Sequence, residues 1–281
     1  MLKTRIITAL LMLPVVLLAL FAFPAWAWAL FTLGIVLAGC WEWSRLCQMT
    51  PRAKLVFLLL SGLIAALILA AYLRIFPVRF DALAVAAFVA AAAFWLLAAP
   101  LWLAKNWHPR STALGAAVGW VVIFPTWFAL LTLRDANPWL LLSFAAIVWV
   151  ADIAAYFVGK ALGRTRLAPS ISPGKTVEGA LGGLIGVSAY FFVWQALTQT
   201  APGANWASVL HAQGLWLLLL FLLLAAISVL GDLFESWMKR GAGLKDSSSL
   251  LPGHGGVLDR IDALTSALPI AGLYIMLLAH S

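Results

Sequence analysis

Asp232, Glu235 and Lys239 stand at i, i+3 and i+7, so on a helix they share one face. Asp259 and Asp262 repeat the i, i+3 spacing further on. Two carboxylates from separate helices, Asp232 and Asp259, form a cradle for Mg²⁺, which takes hard oxygen ligands and usually shares them with phosphates. Lys239, Arg240, Lys245 and Arg260 are interleaved with these acids and with Asp246. Cationic side chains of this kind hold phosphate oxygens, and Arg can do so bidentately. Gly253, Gly255 and Gly256 let backbone N–H groups approach a phosphate closely. His254, between them, can donate a hydrogen bond or a proton. The plainer reading is ion pairing, Glu235 with Lys239 and Asp259 with Arg260 or Lys245. It suits any one pair; the whole set, with its glycines, points to a metal-and-phosphate site.

A second cluster lies earlier. Asp152 and Tyr156 are i, i+4, and Lys160 follows, with Ser172-Pro173-Gly174-Lys175-Thr176 beyond. The last three residues resemble the end of a P-loop, but Pro169 occupies the earlier glycine position and no strand is expected before it. The segment reads instead as a phosphate-binding turn in which Ser172, Lys175 and Thr176 donate. The structural alternatives are a helix cap at Thr176, a favourable charge at a helix N-terminus for Glu178, and a buried pair of Asp152 with Lys160.

The elements that carry these residues must be membrane helices. The 281-residue chain is 64% hydrophobic and 10% charged. A soluble domain is nearer half apolar and a quarter charged. The same counts exclude disorder, a coiled coil and a disulfide scaffold. Cys40 and Cys47 are too few for a disulfide framework and lack a nearby His for zinc. The net charge of +8 does not call for nucleic acid, because basic loops face anionic headgroups. Nine apolar runs are long enough to be spans: 5–21, 25–40, 55–73, 80–101, 113–133, 138–157, 179–198, 213–231 and 263–280. The expected fold is therefore all-α and polytopic. A cleaved signal peptide competes for residues 1–27, but cleavage would leave 28–40 too short to span. With a cytoplasmic N-terminus, every Lys and Arg except Arg74, Arg79 and Arg134 falls on the cytoplasmic side, as the positive-inside rule requires. Lys3, Arg5 and Arg110 belong to that side. Trp41, Trp43, Trp102, Trp107, Trp139 and Trp237 lie near span ends, where indole favours the interface. Residues 1–110 carry only Glu42 and Asp81 as acids and read as a transmembrane scaffold. Residues 111–281 read as the catalytic region, with cytoplasmic loops 158–178 and 232–262.

The run Ser236-x-Met238-Lys239-Arg240-x4-Lys245-Asp246-x-Ser248-x2-Leu251-Pro252-x-His254-Gly255-Gly256-Val257-x-Asp259-Arg260-Ile261-Asp262 resembles the complete signature of the phosphatidate cytidylyltransferases. Asp152, Tyr156, Gly159 and the Ser172–Gly179 stretch are similar to the same family, whereas residues 1–140 match it only in hydropathy. The resemblance implies transfer of CMP from CTP to phosphatidate, giving CDP-diacylglycerol and pyrophosphate. It implies catalytic roles for Asp232, Asp259, Lys239, Arg240, Lys245, Asp246, His254 and Arg260. Ser172, Lys175, Thr176, Gly255 and Gly256 are expected to bind substrate phosphates, and Asp232 and Asp259 to hold Mg²⁺. A monovalent cation such as K⁺ is associated with the same centre. A homodimer in the inner membrane, with its site facing the cytoplasm, completes the expectation. A CTP-dependent lipid kinase, acting for example on polyprenol, would use a similar polar site but transfer the γ-phosphate. A transporter would place its charges at mid-bilayer in repeated halves, which this chain lacks.

Overall fold

The computed structural model describes residues 2–105, 111–200 and 205–279. Trp107 and Arg110 lie outside the described residues, as do the side chains of Lys3 and Arg5. Helices dominate: α1 (Leu2–Ala22), α2 (Ala25–Leu46), α3 (Pro51–Tyr72), α4 (Phe80–Ala93), α5 (Ala99–Lys105), α6 (Thr112–Ala136), α7 (Pro138–Leu162), α8 (Val177–Thr200), α9 (Asn205–His211), α10 (Leu215–Gly241) and α11 (Leu258–Leu278). A π-helical turn, Phe94–Ala98, joins α4 to α5, so Phe80–Lys105 forms one span. Among the described residues, eight helices are long and apolar enough to cross a membrane, and the apolar part of α1, Ile7–Ala22, is shorter. Each long helix rises about 30 Å, the thickness of a hydrocarbon core.

Local chemistry sets the boundaries. Pro24 separates α1 from α2 as expected. Thr50 caps α3 through the Ala53 amide, with Pro51 at the first helical position. Asn137 and Pro138 repeat the device at α7. The helices overrun the apolar stretches on the side of the two charged loops: α2 runs on through Glu42, α10 to Gly241, and α11 begins at Leu258. A helix already nucleated in the bilayer extends at little cost into the headgroup region. The two charged loops also hold one departure from all-helical structure, an antiparallel hairpin of β1 (Arg166–Ala168) and β2 (Ser172–Thr176).

Helix α6 is the packing centre and meets α2, α4, α7 and α11, while α10 pairs with α11 and α7 with α8. The α7–α8 approach depends on glycine. A Cβ at Gly182 would fall 2.5 Å from Val158, and one at Gly186 2.5 Å from Ala154. Small residues of this kind let backbones close in where lipid supplies no hydrophobic driving force between helices. Below the charged end of α10, Phe234 packs among Trp43, Phe94, Trp95 and Trp237. This cluster corrects the placement of two tryptophans. Trp43 and Trp237 are buried rather than interfacial, and the Trp43 indole donates to the Gly115 carbonyl at 2.8 Å. Trp41 keeps a border setting beneath Arg45 and Lys54, and Trp139 is exposed. At the opposite end, Arg134 donates to the Leu20 and Phe23 carbonyls that close α1, where a cation suits the helix C-terminus.

Candidate active site

The two charged loops meet at one end of the bundle. Lys175 Nζ lies 2.6 Å from Asp232 Oδ2, and Arg240 Nε donates to the Ile171 carbonyl at 3.5 Å. Helix α10 supplies Asp232, Ser236 and Lys239 from its polar side while Leu233, Phe234, Trp237 and Met238 are buried. The hairpin supplies Lys175, and α11 supplies Asp259 and Asp262 from its first turns.

Two lysines organise the acids. Lys239 Nζ lies 2.5 Å from Glu235 Oε2 and 2.6 Å from Asp259 Oδ1. The Glu235–Lys239 pairing read from the spacing therefore exists, but the partner of Asp259 is Lys239, not Arg260 or Lys245. Lys175 approaches Asp232 off the hydrogen-bonding direction, so its buried ammonium keeps unfilled donors. Ser236 Oγ donates to the other Asp232 oxygen at 3.2 Å. Asp262 lies within Coulombic reach of Asp232, Lys239 and Lys175, as does Glu235 of Asp259 and Asp262. Asp152 feels both Lys175 and Asp232.

A cavity of about 660 Å³ opens between α7, the hairpin, α8 and α10. Asp152, Tyr156, Lys160, Ser172, Lys175, Thr176 and Asp232 line it. The earlier cluster supplies most of this lining; of the later cluster Asp232 reaches it, while Lys239 and Asp259 pair beside Glu235. Lys160 does not pair with Asp152 but lies over the Tyr156 ring, 5.9 Å from its centroid.

Several residues have structural work. Thr176 Oγ1 accepts the Gly179 amide at 3.1 Å and so caps α8. Glu178 accepts the Arg164 and Thr165 amides at 3.1 Å, which ties the end of α7 to the start of α8. Arg166 Nη1 donates to the Pro173 carbonyl at 2.7 Å across the hairpin tip. The Gly256 amide, expected to face a phosphate, donates to Asp259 Oδ2 at 2.7 Å. Gly255 adopts φ +84 in a tight turn closed by the Leu251 amide on its carbonyl. His254 Nδ1 is buried without a partner. Lys245, Asp246 and Arg260 are exposed and make no side-chain ion pair among the described residues. The structure therefore sets Asp232, Lys175, Ser172 and Thr176 on the cavity wall and pairs Lys239 with Asp259 and Glu235, while Arg240, Lys245 and Arg260 are exposed.

The donor set suits a cation. Asp152, Asp232, Glu235, Asp259 and Asp262 face two lysines, and Glu235 Oε1 is buried with no donor. Uncompensated carboxylates in such a place are costly unless a cation joins them. Among the described residues no three His, Cys, Asp or Glu side chains enclose an ion unaided. A metal here would complete its shell with phosphate oxygens and water, as Mg²⁺ commonly does.

Sequence reasoning passed over Glu42. It lies on α2, wholly buried, and accepts from Ser248 Oγ at 2.5 Å, Leu258 N at 2.6 Å, Val257 N at 2.9 Å and Ser247 Oγ at 3.1 Å. The signal was present: a lone acid two residues past the apolar run 25–40, at the bilayer border, needs a partner.

Comparison with known proteins agrees with this geometry. The profile of the cytidylyltransferase family matches residues 3–278. A phosphatidate cytidylyltransferase of Pseudomonas aeruginosa is 40% identical over 278 residues, 96% of this chain and 95% of that protein. One of Haemophilus influenzae is 36% identical over 291 residues, 96% of each. One of Brucella suis is 36% identical over 287 residues, 97% of this chain and 93% of that protein. A multi-helix membrane chain with converging lysines and carboxylates at one end, matched over nearly its whole length, belongs to the cytidylyltransferase family and is a nucleotidyltransferase.

Proposed function

We propose that the chain transfers CMP from CTP to phosphatidate, forming CDP-diacylglycerol and releasing pyrophosphate. The observation that carries this reading is the buried Lys175 ammonium with unfilled donors, lining a cavity beside Asp232. The relatives, phosphatidate cytidylyltransferases, support it and do not favour the lipid-kinase alternative. In this reaction a phosphatidate oxygen attacks the α-phosphorus of CTP in line with the departing pyrophosphate. The nucleophile is already anionic, so positioning and charge stabilisation supply most of the catalysis. Lys175 and Ser172 offer donors to one phosphate from the hairpin wall. Arg240, Lys245 and Arg260, all exposed, draw in and neutralise the triphosphate. Lys239 holds Asp259 and Glu235 in fixed orientation. His254 stands in the same loop as a hydrogen-bond donor.

Asp232 and Asp259 would hold Mg²⁺, with Asp262 and Glu235 behind them. Bound there, the ion would polarise phosphoryl oxygens and neutralise the leaving group. K⁺ is the candidate for a monovalent cation at the same centre. The protein acts as a homodimer in the inner membrane, with this end toward the cytoplasm, where CTP is available. The lipid phosphate enters this cavity from the headgroup region while the acyl chains remain in the bilayer.

The test is product identification. Purified protein, radiolabelled CTP, phosphatidate and Mg²⁺ should yield CDP-lipid and pyrophosphate. Chelation should abolish turnover and Mg²⁺ restore it. Phosphorylated lipid with CDP as the co-product would overturn the assignment.

A further inference from the structure

The geometry points to Glu42 as a positioning residue for the transfer reaction: from α2, its carboxylate holds the loop that presents Asp259 and the exposed bases to the site. The inference rests on the proposed reaction only for its kinetic half.

Glu42 belongs to the apolar N-terminal region, far in sequence from the residues it holds. Its two oxygens receive four donors, all from residues 247–258. Two are the Val257 and Leu258 amides, unpaired donors at the start of α11, where a negative charge also complements the helix dipole. The other two are the Ser247 and Ser248 hydroxyls. One carboxylate thus pins the loop at both ends. Ser247 extends the link, because its Oγ lies 3.1 Å from Glu42 Oε2 and 2.9 Å from Asp259 Oδ2. Its single proton serves one acid at a time, but the Ser247 and Gly256 amides also donate to Asp259 Oδ2, so the loop that Glu42 holds is the loop that orients Asp259. Gly256 shows how closely the loop is seated. A Cβ there would fall 2.0 Å from Ser247 Oγ and 2.3 Å from Glu42 Oε1.

Glutamine at 42 keeps the shape but turns an acceptor oxygen into an NH₂ that faces donors. The wild-type chain, Glu42→Gln, Ser248→Ala and the double variant should be purified whole in detergent. Four quantities should be followed: melting temperature, kcat, KM, and the rate of trypsin cleavage after the exposed Lys245 in the folded protein. Glu42→Gln should lower kcat about 10–100-fold, the range for losing a residue that orients ligating groups. It should also speed cleavage after Lys245 without speeding cleavage at Arg166. Ser248→Ala should do both to a lesser degree, and the double variant should be no worse than Glu42→Gln alone, since both act through one contact. Ser61→Ala removes a buried hydrogen bond from Trp120 elsewhere and should leave kcat and the Lys245 cleavage rate unchanged. If Glu42→Gln does not fold, Ser248→Ala decides alone. Wild-type kcat with unchanged Lys245 protection in either folded variant would overturn the proposal, as would strictly additive effects. A freed loop with full kcat would also overturn it. Should wild-type protein make no CDP-lipid, the reaction assignment fails separately, and the cleavage pattern still judges the anchor.

Discussion

Lys175 and Lys239 look alike in sequence but do different work. Lys239 sits between two acids, with side-chain exposures of 12% for itself, 6% for Glu235 and 4% for Asp259. Removing it would leave two buried carboxylates without a counter-charge, and breaking a buried pair costs about 3–5 kcal/mol. The side chains of Lys175 and Asp232 are 23% and 29% exposed at the cavity wall, so Asp232 left alone there is far less buried than the acids around Lys239. Lys239→Ala should therefore lower the melting temperature markedly as well as kcat. Lys175→Ala should leave the melting temperature nearly unchanged and raise KM for one substrate or lower kcat. A calorimetric scan with steady-state kinetics checks both, and equal melting temperatures for the two variants would contradict the distinction. The acid–base spacing on α10 was legible because i, i+3, i+7 fixes a helical face. That Lys239 rather than Arg260 meets Asp259 was not, because the partner comes from another helix. Glu42 escaped for the same reason: its donors are backbone amides and serines, which carry no charge signal.

At the level of elements, the cavity beside Lys175 and Asp232 owes its shape to the closeness of α7 and α8 and to the hairpin wedged beside them. Gly182 faces Val158 with no room for a Cβ. Gly182→Val should force the helices apart, at about 1–3 kcal/mol for overpacking, and displace the wall that carries Asp152 and Tyr156. The expected result is a raised KM for phosphatidate with a smaller effect on CTP, read by varying each substrate at saturating levels of the other. Equal effects on both would show that the α7–α8 wall does not meet the lipid. Hydropathy located the α7 and α8 spans within a few residues, since twenty apolar residues in a row have few alternatives in a bilayer. It missed the hairpin because Arg166–Thr176 has no alternating apolar pattern; Arg166 on Pro173 and Glu178 on the Arg164 and Thr165 amides fold it instead. It also sent Trp43 and Trp237 to the interface, because proximity to a span end says nothing about which way a helix face turns.

Across the whole molecule, the positive-inside distribution and the converging loops make one claim about orientation. Loop 163–176 meets the charged end of α10 through Lys175–Asp232 and Arg240–Ile171, and α10 leads directly into loop 242–257. The start of α4, with Asp81, belongs to the other end, beside Tyr72 and Asp135. Single cysteines at Ser170, Ser249 and Asp81, all exposed, report each end separately. The native thiols interfere little. Cys40 is buried, and burial pushes the Cys47 thiol up to about 12, which keeps it protonated and slow toward maleimide near neutral pH. With a membrane-impermeant maleimide, Ser170→Cys and Ser249→Cys should react in inside-out vesicles and stay dark in right-side-out ones. Asp81→Cys should do the reverse. Labelling of Ser170 and Ser249 from opposite faces would contradict the joined loops and revive a transport pathway. Labelling of both from the outer face would turn the molecule over and place its cavity where CTP is absent, which no transferase drawing on cytoplasmic nucleotide could tolerate.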